Sequence, residues 1–215
     1  MKSYLITCKG CETRLAGTQA HLNEHNVPHT VFRGVNGVVA GLRTVYPYLG
    51  DDPSGETFIS AGRVALNLNH WFVWSEASRL GYPEVMVMED DIRVVQGFNE
   101  YLNARIQELN ELDQEWNFIY VGHLEGSDQA EHKGNCYEWK KGSIAKCSSD
   151  PYGTHCYIAR ASAYRILLDT QEKIFTGTDI NIWMSGIPNL RHYAFIPPLA
   201  DQLREGIYTN STVRS

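Results

Sequence analysis

The chain has 215 residues, 43% of them hydrophobic and 20% charged, with a formal net charge of −6. That size and balance fit a single globular domain, residues 1–215, with room for a sizeable core; they exclude a disordered or fibrous chain. The acidic excess gives no electrostatic case for nucleic acid as a partner, so an anionic substrate needs a local cation.

No apolar run approaches the roughly 18 residues of a membrane span. Met1-Lys2-Ser3-Tyr4-Leu5-Ile6 is too short and polar for a signal peptide. Both observations point to a cytoplasmic protein, in which the five cysteines are expected as thiols.

Tyr4 to Thr7 reads as the first strand. Cys8-Lys9-Gly10-Cys11 follows, a spacing that suits a redox pair, half of a zinc site, or plain turn cysteines. Zinc would draw on His21, His25 and His29, although Pro28 should end the helix before His29 joins that face. Residues 12–26 place Leu15 and Leu22 on one helical face, and Val27 to Val35 returns as a strand closed by the turn pair Asn36-Gly37. Residues 38–57 carry Gly41, Pro47, Gly50, Asp51-Asp52-Pro53 and Gly55, an irregular stretch long enough for a functional loop. Asp51-Asp52, ahead of a proline, reads as a solvated turn.

Ser60 to Leu80 has helical spacing, with Val64, Leu68, Trp71 and Ser75 along one face. His70 sits among large apolar residues, either as a core imidazole bonded to a carbonyl or as support for the strand that follows. Gly81-Tyr82-Pro83 stops this helix, and Val85-Met86-Val87-Met88 begins at once. Four apolar residues without alternation suit a strand covered on both faces. They run straight into Glu89-Asp90-Asp91, at the carboxyl end where open α/β sheets place ligands. Three adjacent carboxylates repel one another, and burying them unpaired is costly. Mg²⁺ or Mn²⁺ would remove that conflict, taking one or two protein oxygens and leaving positions for substrate phosphates. The competing reading is an acidic, solvated turn.

Gly97 to Gln114 forms a second long helix on the stripe Phe98, Leu102, Ile106 and Leu109. Trp116 to Val121 is another buried strand, ending at Gly122-His123. Residues 123–150 read as a long polar loop with a small hairpin around Cys136 to Trp139. Its Lys133, Lys140, Lys141 and Lys146 are either solvated or part of an anion-facing flap. Thr154 to Ala159 is strand-like, and His155 at its start could aim an imidazole at the acids, a donor set that suits Mn²⁺. A helix at Ser162 to Asp169, an acid on a turn at Asp179, a strand at Tyr193 to Ile196, Pro197-Pro198 and a polar tail over 203–215 complete the chain.

This ordered set resembles the family 25 glycosyltransferases, which include lipopolysaccharide-biosynthesis enzymes and collagen galactosyltransferases. The family's strand-then-Arg opening looks like Tyr4 to Thr7 followed by Arg14, and its "A-V-D-G" looks like Gly34-Val35-Asn36-Gly37. Its "G-C-x-L-S-H" is similar to Ala65-Leu66-Asn67-Leu68-Asn69-His70, and its "L-E-D-D" to Met88-Glu89-Asp90-Asp91. Its "Y-L-G" resembles Tyr120-Val121-Gly122, its "G-T-x-A-Y-I-I" resembles Gly153 to Ala159, and its "D-x-x-L" resembles Asp179 to Ile182. The likeness spans about residues 3–202. Asn36 stands for the family Asp, Asn69 for the Ser beside His70, and Arg63 near a usual Glu.

The resemblance implies an α/β, GT-A-like fold: a mixed, mostly parallel sheet flanked by helices on both faces. It implies inverting transfer of a hexose, galactose or a relative, from a UDP-sugar to a hydroxyl of a glycan or other acceptor. The acceptor offers a route to peripheral membrane association. Asp91, Glu89 and His155 are the expected ligands of Mn²⁺ or Mg²⁺; Thr7, Arg14, Asn36, Glu89 and Asp90 are expected around the nucleotide. Asp179 is the first candidate for the base, with Glu125 second. Two other classes stay open: an inactive binding scaffold of the same fold, and a Cys/His metal or redox protein built on Cys8-Cys11.

Overall fold

A computed structural model describes residues 1–42, 60–124, 137–148, 153–172, 174, 177–182 and 189–203. Glu125, Asp51-Asp52, Lys133 and the tail from 204 lie outside the described residues.

Among the described residues, ten strands form one sheet: β1 (Lys2–Cys8), β2 (Thr30–Gly34), β3 (Glu84–Glu89), β4 (Ile92–Val94), β5 (Phe118–Gly122), β6 (Tyr137–Lys141), β7 (Ile144–Cys147), β8 (Cys156–Arg160), β9 (His192–Phe195) and β10 (Ala200–Gln202). The spatial order is β2-β1-β3-β8-β5-β9-β7-β6, with the β4–β10 ribbon attached at β5. β1 is parallel to β2 and β3, and β5 is parallel to β9 and β10. β8, wedged between β3 and β5, runs against both. Among the described residues the helices given ranges are α1 (Glu12–Glu24), α2 (Ala61–Arg79), α3 (Phe98–Leu112), α4 (Ala161–Thr170) and the single turn α5 (Thr178–Asn181).

β3 carries the expected pattern in full. Val85 and Val87 point to a core shared with Trp74 and Ala77 of α2 and Tyr164 and Leu167 of α4. Met86 and Met88 point the other way, to Leu15 and Leu22 of α1 and Phe98, Leu102 and Leu109 of α3. Alternation thus sends successive side chains into two separate cores, and each fully buried side chain contributes about 1.5–3 kcal/mol. The mixed sheet with helices on both faces follows from this double coverage.

The local grammar is equally plain. Ser60 caps α2 by accepting from the Arg63 N–H at 3.2 Å. Gly81, at φ +68°, ends it in the left-handed conformation. The chain then enters β3, which ends at the acids.

Some expectations need correction. β2 begins at Thr30 rather than Val27, because the Val27 N–H bonds Leu22 O at 2.8 Å and Pro28 has none to give. β4 and β10 are additional strands, too short to leave a periodic trace in the sequence. The hairpin within 123–150 is longer than expected: β6 and β7 pair through Lys141↔Ile144, and β7 joins the sheet at β9. Lys146, on β7, stands 2.7 Å from Glu138 of the edge strand β6 across the hairpin.

Asp113, at the end of α3, ties that helix to β9. It accepts from Arg191 Nη2 at 2.7 Å and Nε at 2.9 Å, and from the Tyr193 hydroxyl at 2.7 Å. Burial opposes its ionisation, but the hydrogen bonds from Tyr193, the Glu115 N–H and Arg191 prevail and lower its pKa. Asp113→Ala should therefore destabilise the fold by about 2–3 kcal/mol at neutral pH, as for loss of a buried, charge-assisted acceptor. A depressed carboxyl stabilises above its unfolded value near 3.8 and loses that contribution as pH falls through its folded one. Urea titrations of both proteins should converge in acid.

Candidate active site

Parallel pairing of β1 with β3 puts Ile6 beside Glu89 and brings Thr7 to the acid turn. The three carboxylates there meet three different environments.

Asp90 is saturated. Its Oδ2 accepts from the Thr7 hydroxyl at 2.5 Å, and its Oδ1 meets Arg14 Nη2 at 2.6 Å. Its backbone carbonyl accepts from the Thr18 hydroxyl at 2.7 Å. Burial still raises its pKa against the pull of Arg14 and Thr7.

Glu89 is held from the opposite side. Its Oε1 accepts from the Thr154 hydroxyl at 2.9 Å and faces His70 Nε2 at 3.4 Å. Behind His70, its Nδ1 lies 2.8 Å from the Tyr157 hydroxyl, which also takes the Trp74 Nε1–H at 2.8 Å. Trp74 donates to Tyr157 and Tyr157 can donate to His70 Nδ1, which leaves the His70 Nε2–H turned toward Glu89 at 3.4 Å without closing a hydrogen bond to it. Burial works against the Glu89 charge, but His70, His155 and Thr154 outweigh it and lower its pKa.

Asp91 has no such support. It is buried, its Oδ1 has no hydrogen-bond partner, and its Oδ2 is 4.0 Å from Arg14 Nη1. Burial first, then the Glu89 charge, push its pKa up to about 7 despite Arg14. A buried carboxyl with an orphaned oxygen, beside an ionised neighbour, fits a hard divalent cation.

His155 approaches from the start of β8. Its carbonyl accepts from the Glu89 N–H at 2.9 Å, and its ring is fully buried. A Cβ on Gly122 would stand 2.6 Å from its Nε2, and one on Gly153 would stand 2.8 Å from its Nδ1. Glycine at both places gives the ring its slot. Asp179 Oδ2 accepts from the Gly153 N–H at 3.2 Å, which stitches the α5 turn to the same corner. Asp91, Glu89 and His155 do not form a tight three-ligand cage with all donor atoms within 4.8 Å. An ion that also binds diphosphate does not need one.

Asn36 lies at the carboxyl end of β2 but spends its amide within the chain. Its Nδ2 donates to Lys9 O at 2.6 Å, and its Oδ1 accepts from the Val38 and Val39 N–H at 3.0 and 3.1 Å. The zinc half-site is not assembled. His21 lies ten residues beyond Cys11 on α1, about 15 Å along the axis. Among the described residues, the close metal-type group is His21, Glu24 and His25. There the Val94 N–H donates to His21 Nε2 at 2.9 Å, which leaves the ring proton on Nδ1 and no lone pair for a metal.

Sequence reasoning missed Thr18, Thr154, Trp74 and Tyr157. Tyr157 carried a legible cue: a phenol mid-strand needs a polar partner, and His70 and Trp74 supply two, four residues apart on one helix face.

The fold and the acid-ended strand define a GT-A-like α/β protein. Two solved structures align along most of their length. One is a glycosyltransferase involved in glycosylation of the major capsid of PBCV-1, with TM-score 0.51, 9% identity, and coverage of 100% of this chain and 98% of that one. The other is apo UDP-glucose pyrophosphorylase, with TM-score 0.51, 11% identity, and coverage of 91% and 90%. At such identities they speak for the fold alone.

The model of "Glycosyltransferase family 25 (LPS biosynthesis protein)" matches residues 1–182. The chain belongs to glycosyltransferase family 25. Among curated relatives, the human "Inactive glycosyltransferase 25 family member 3" is 29% identical over 125 residues, 58% of this chain and 20% of that protein. Mouse "Procollagen galactosyltransferase 2" is 27% identical over 71 residues, 33% of this chain and 11% of that protein. The matched stretches span a fifth or less of these relatives.

The relay behind Glu89 generates a test. Tyr157→Phe keeps the ring and removes the oxygen between Trp74 and His70, leaving both buried nitrogens without it. A loss of about 1–3 kcal/mol is expected in chemical denaturation. Unchanged stability would show that the relay does not hold the acid.

Proposed function

We propose that this chain is a metal-dependent, inverting glycosyltransferase that moves a hexose, galactose or a relative, from a UDP-sugar to a hydroxyl acceptor. The observation that carries the reading is Asp91: a buried carboxyl with one unpartnered oxygen and a pKa of about 7, at the carboxyl end of β3 beside ionised Glu89. Family membership supports the reaction class.

In this reading Asp91 and Glu89, with His155 at the same corner, hold Mn²⁺ or Mg²⁺. When bound, the cation supplies charge neutralisation for the departing nucleoside diphosphate. Asp90 does not reach for it. With Thr7, Arg14 and Thr18 it fixes the loop that carries the buried Asp91. Glu89 keeps its second oxygen for the cation or the ribose while His70 and Thr154 engage the first. Asp179 takes the acceptor hydroxyl proton as that oxygen attacks the anomeric carbon on the face opposite the diphosphate. The Gly153 N–H orients the Asp179 carboxylate for this. Asn36, its amide already engaged, has little left for a ribose.

The inactive-scaffold reading draws on that Asn36 commitment and on the inactive human relative. Calorimetry separates the two. UDP should bind wild-type protein only with Mn²⁺ present, Asp91→Asn should abolish that dependence and the transfer, and a scaffold should give no metal-dependent heat. Transfer retained by Asp91→Asn with Mn²⁺ bound would overturn the assignment. A panel of UDP- and GDP-sugars, assayed for donor hydrolysis, then identifies the donor.

The pH dependence has a definite sign. A carboxyl raised from 3.8 to about 7 favours the fold while protonated. The metal-free protein should lose stability as pH rises through that window. Mn²⁺ displaces the proton, so it should raise the melting temperature more above pH of about 7 than below it. Thermal unfolding with EDTA or saturating Mn²⁺ measures this.

A further inference from the structure

Cys8-Lys9-Gly10-Cys11 takes no part in the proposed transfer, yet it is built into the same corner. Cys8 closes β1, and Cys11 caps α1. The turn between them is tight: the Cys11 N–H donates to Cys8 O at 3.1 Å, and Gly10 takes φ +92°. Both sulfurs are free thiols, 3.4 Å apart, with Cys11 buried and Cys8 half-buried. Arg14, one helical turn on, sets Nη2 3.3 Å from Cys11 Sγ; the same nitrogen is 2.6 Å from Asp90 Oδ1. One guanidinium therefore bridges the dithiol and the acid cluster.

The chemistry favours redox over metal here. A guanidinium against Cys11 disfavours a second cation on the sulfurs, and the histidines that zinc would need are elsewhere. The Cys8 hydrogen bond above all, then Arg14 against the effect of burial, bring the Cys11 thiol down to about 7. A thiolate at a helix N-terminus beside an arginine, with a second thiol in reach, has the makeup of a reversible oxidation site.

We propose that Cys8 and Cys11 form a hydroperoxide-responsive dithiol, whose closure to a disulfide removes Arg14's sulfur acceptor and weakens cation binding at the acid cluster. The Cys11 thiolate attacks one oxygen of hydrogen peroxide; an S–O bond forms, the O–O bond breaks, and the departing hydroxide takes a proton to become water. Cys8 sulfur then attacks the Cys11 sulfenic sulfur. The S–S bond forms, the S–O bond breaks, and the Cys8 proton leaves with the hydroxide as a second water. Two thiols and one peroxide give one disulfide and two waters, the sulfurs supplying both electrons. The sulfurs close from 3.4 Å to about 2.05 Å. With the thiolate gone, Arg14 is less neutralised and lies closer in effect to Asp90 and Asp91, opposing a bound cation. This last step rests on the proposed cation site; the disulfide itself does not.

The test oxidises the full chain with stoichiometric hydrogen peroxide and maps its peptides. A Cys8–Cys11 disulfide that a dithiol reductant reopens supports the proposal. Persistence of both thiols, or a sulfenic acid at Cys11 trapped by dimedone in wild type, overturns it. Cys8→Ser should stop at the trappable Cys11 sulfenic acid, and Cys11→Ser should leave Cys8 unoxidised; reaction at Cys8 in Cys11→Ser overturns the assigned order. Mn²⁺ titration of reduced and oxidised wild type should show binding weaker by about two- to fivefold after oxidation, the scale of one partly screened charge. A disulfide with unchanged Mn²⁺ affinity overturns the coupling. No Mn²⁺ binding by reduced protein defeats the cation site instead, and with it the coupling, while peptide mapping still decides the disulfide.

Discussion

Three successive carboxylates at the end of a buried strand cannot share one environment. Desolvation penalises each charge, and each charge penalises its neighbours. The structure resolves this by dividing the support. Asp90 receives the guanidinium and the hydroxyls on the α1 side, Glu89 receives the imidazole and hydroxyl on the α2 and β8 side, and Asp91 receives almost nothing. Uneven support leaves the three acids chemically distinct. Two acids stay anchored, and the third holds the unmet demand for positive charge.

That division depends on strand direction. β1 and β3 run parallel, so their carboxyl ends coincide and Thr7 arrives at Asp90. β8 runs antiparallel to β3, so its amino end lies at the same edge and delivers Thr154 and His155 to Glu89. Had β8 been parallel, its amino end would lie at the far edge of the sheet. Tyr157, two residues on from His155, then returns to the helix-covered face and braces His70 from behind.

How much of this was legible in the sequence follows the same physics. Val85 to Met88 announced a doubly covered strand because burial on both faces erases alternation. The acids after it were legible as charges in need of partners, which Asp90 finds in Arg14 and Thr7 and Glu89 in Thr154. β4 and β10 were not legible: three residues set no period, and their pairing comes from distant chain. The relay through Trp74, Tyr157 and His70 was half legible, since each residue type asked for a partner but only the fold could introduce them. The turn role of Asn36 was not legible either: its family counterpart pointed to a ligand, and only the fold shows its amide bonding Lys9 O and the Val38 and Val39 N–H.

The Asn36 substitution shows why one atom matters here. An aspartate could accept the Val38 and Val39 N–H as Asn36 does, but it could not donate to Lys9 O. That donation ties the end of β2 to the turn that carries Cys8 and Cys11, and α1, which begins there, brings Arg14 to Asp90. The amide thus braces the loop that sets the arginine. Rigidity there is what lets Arg14 serve Asp90 fully while staying 4.0 Å from Asp91, far enough to leave that carboxyl unsatisfied.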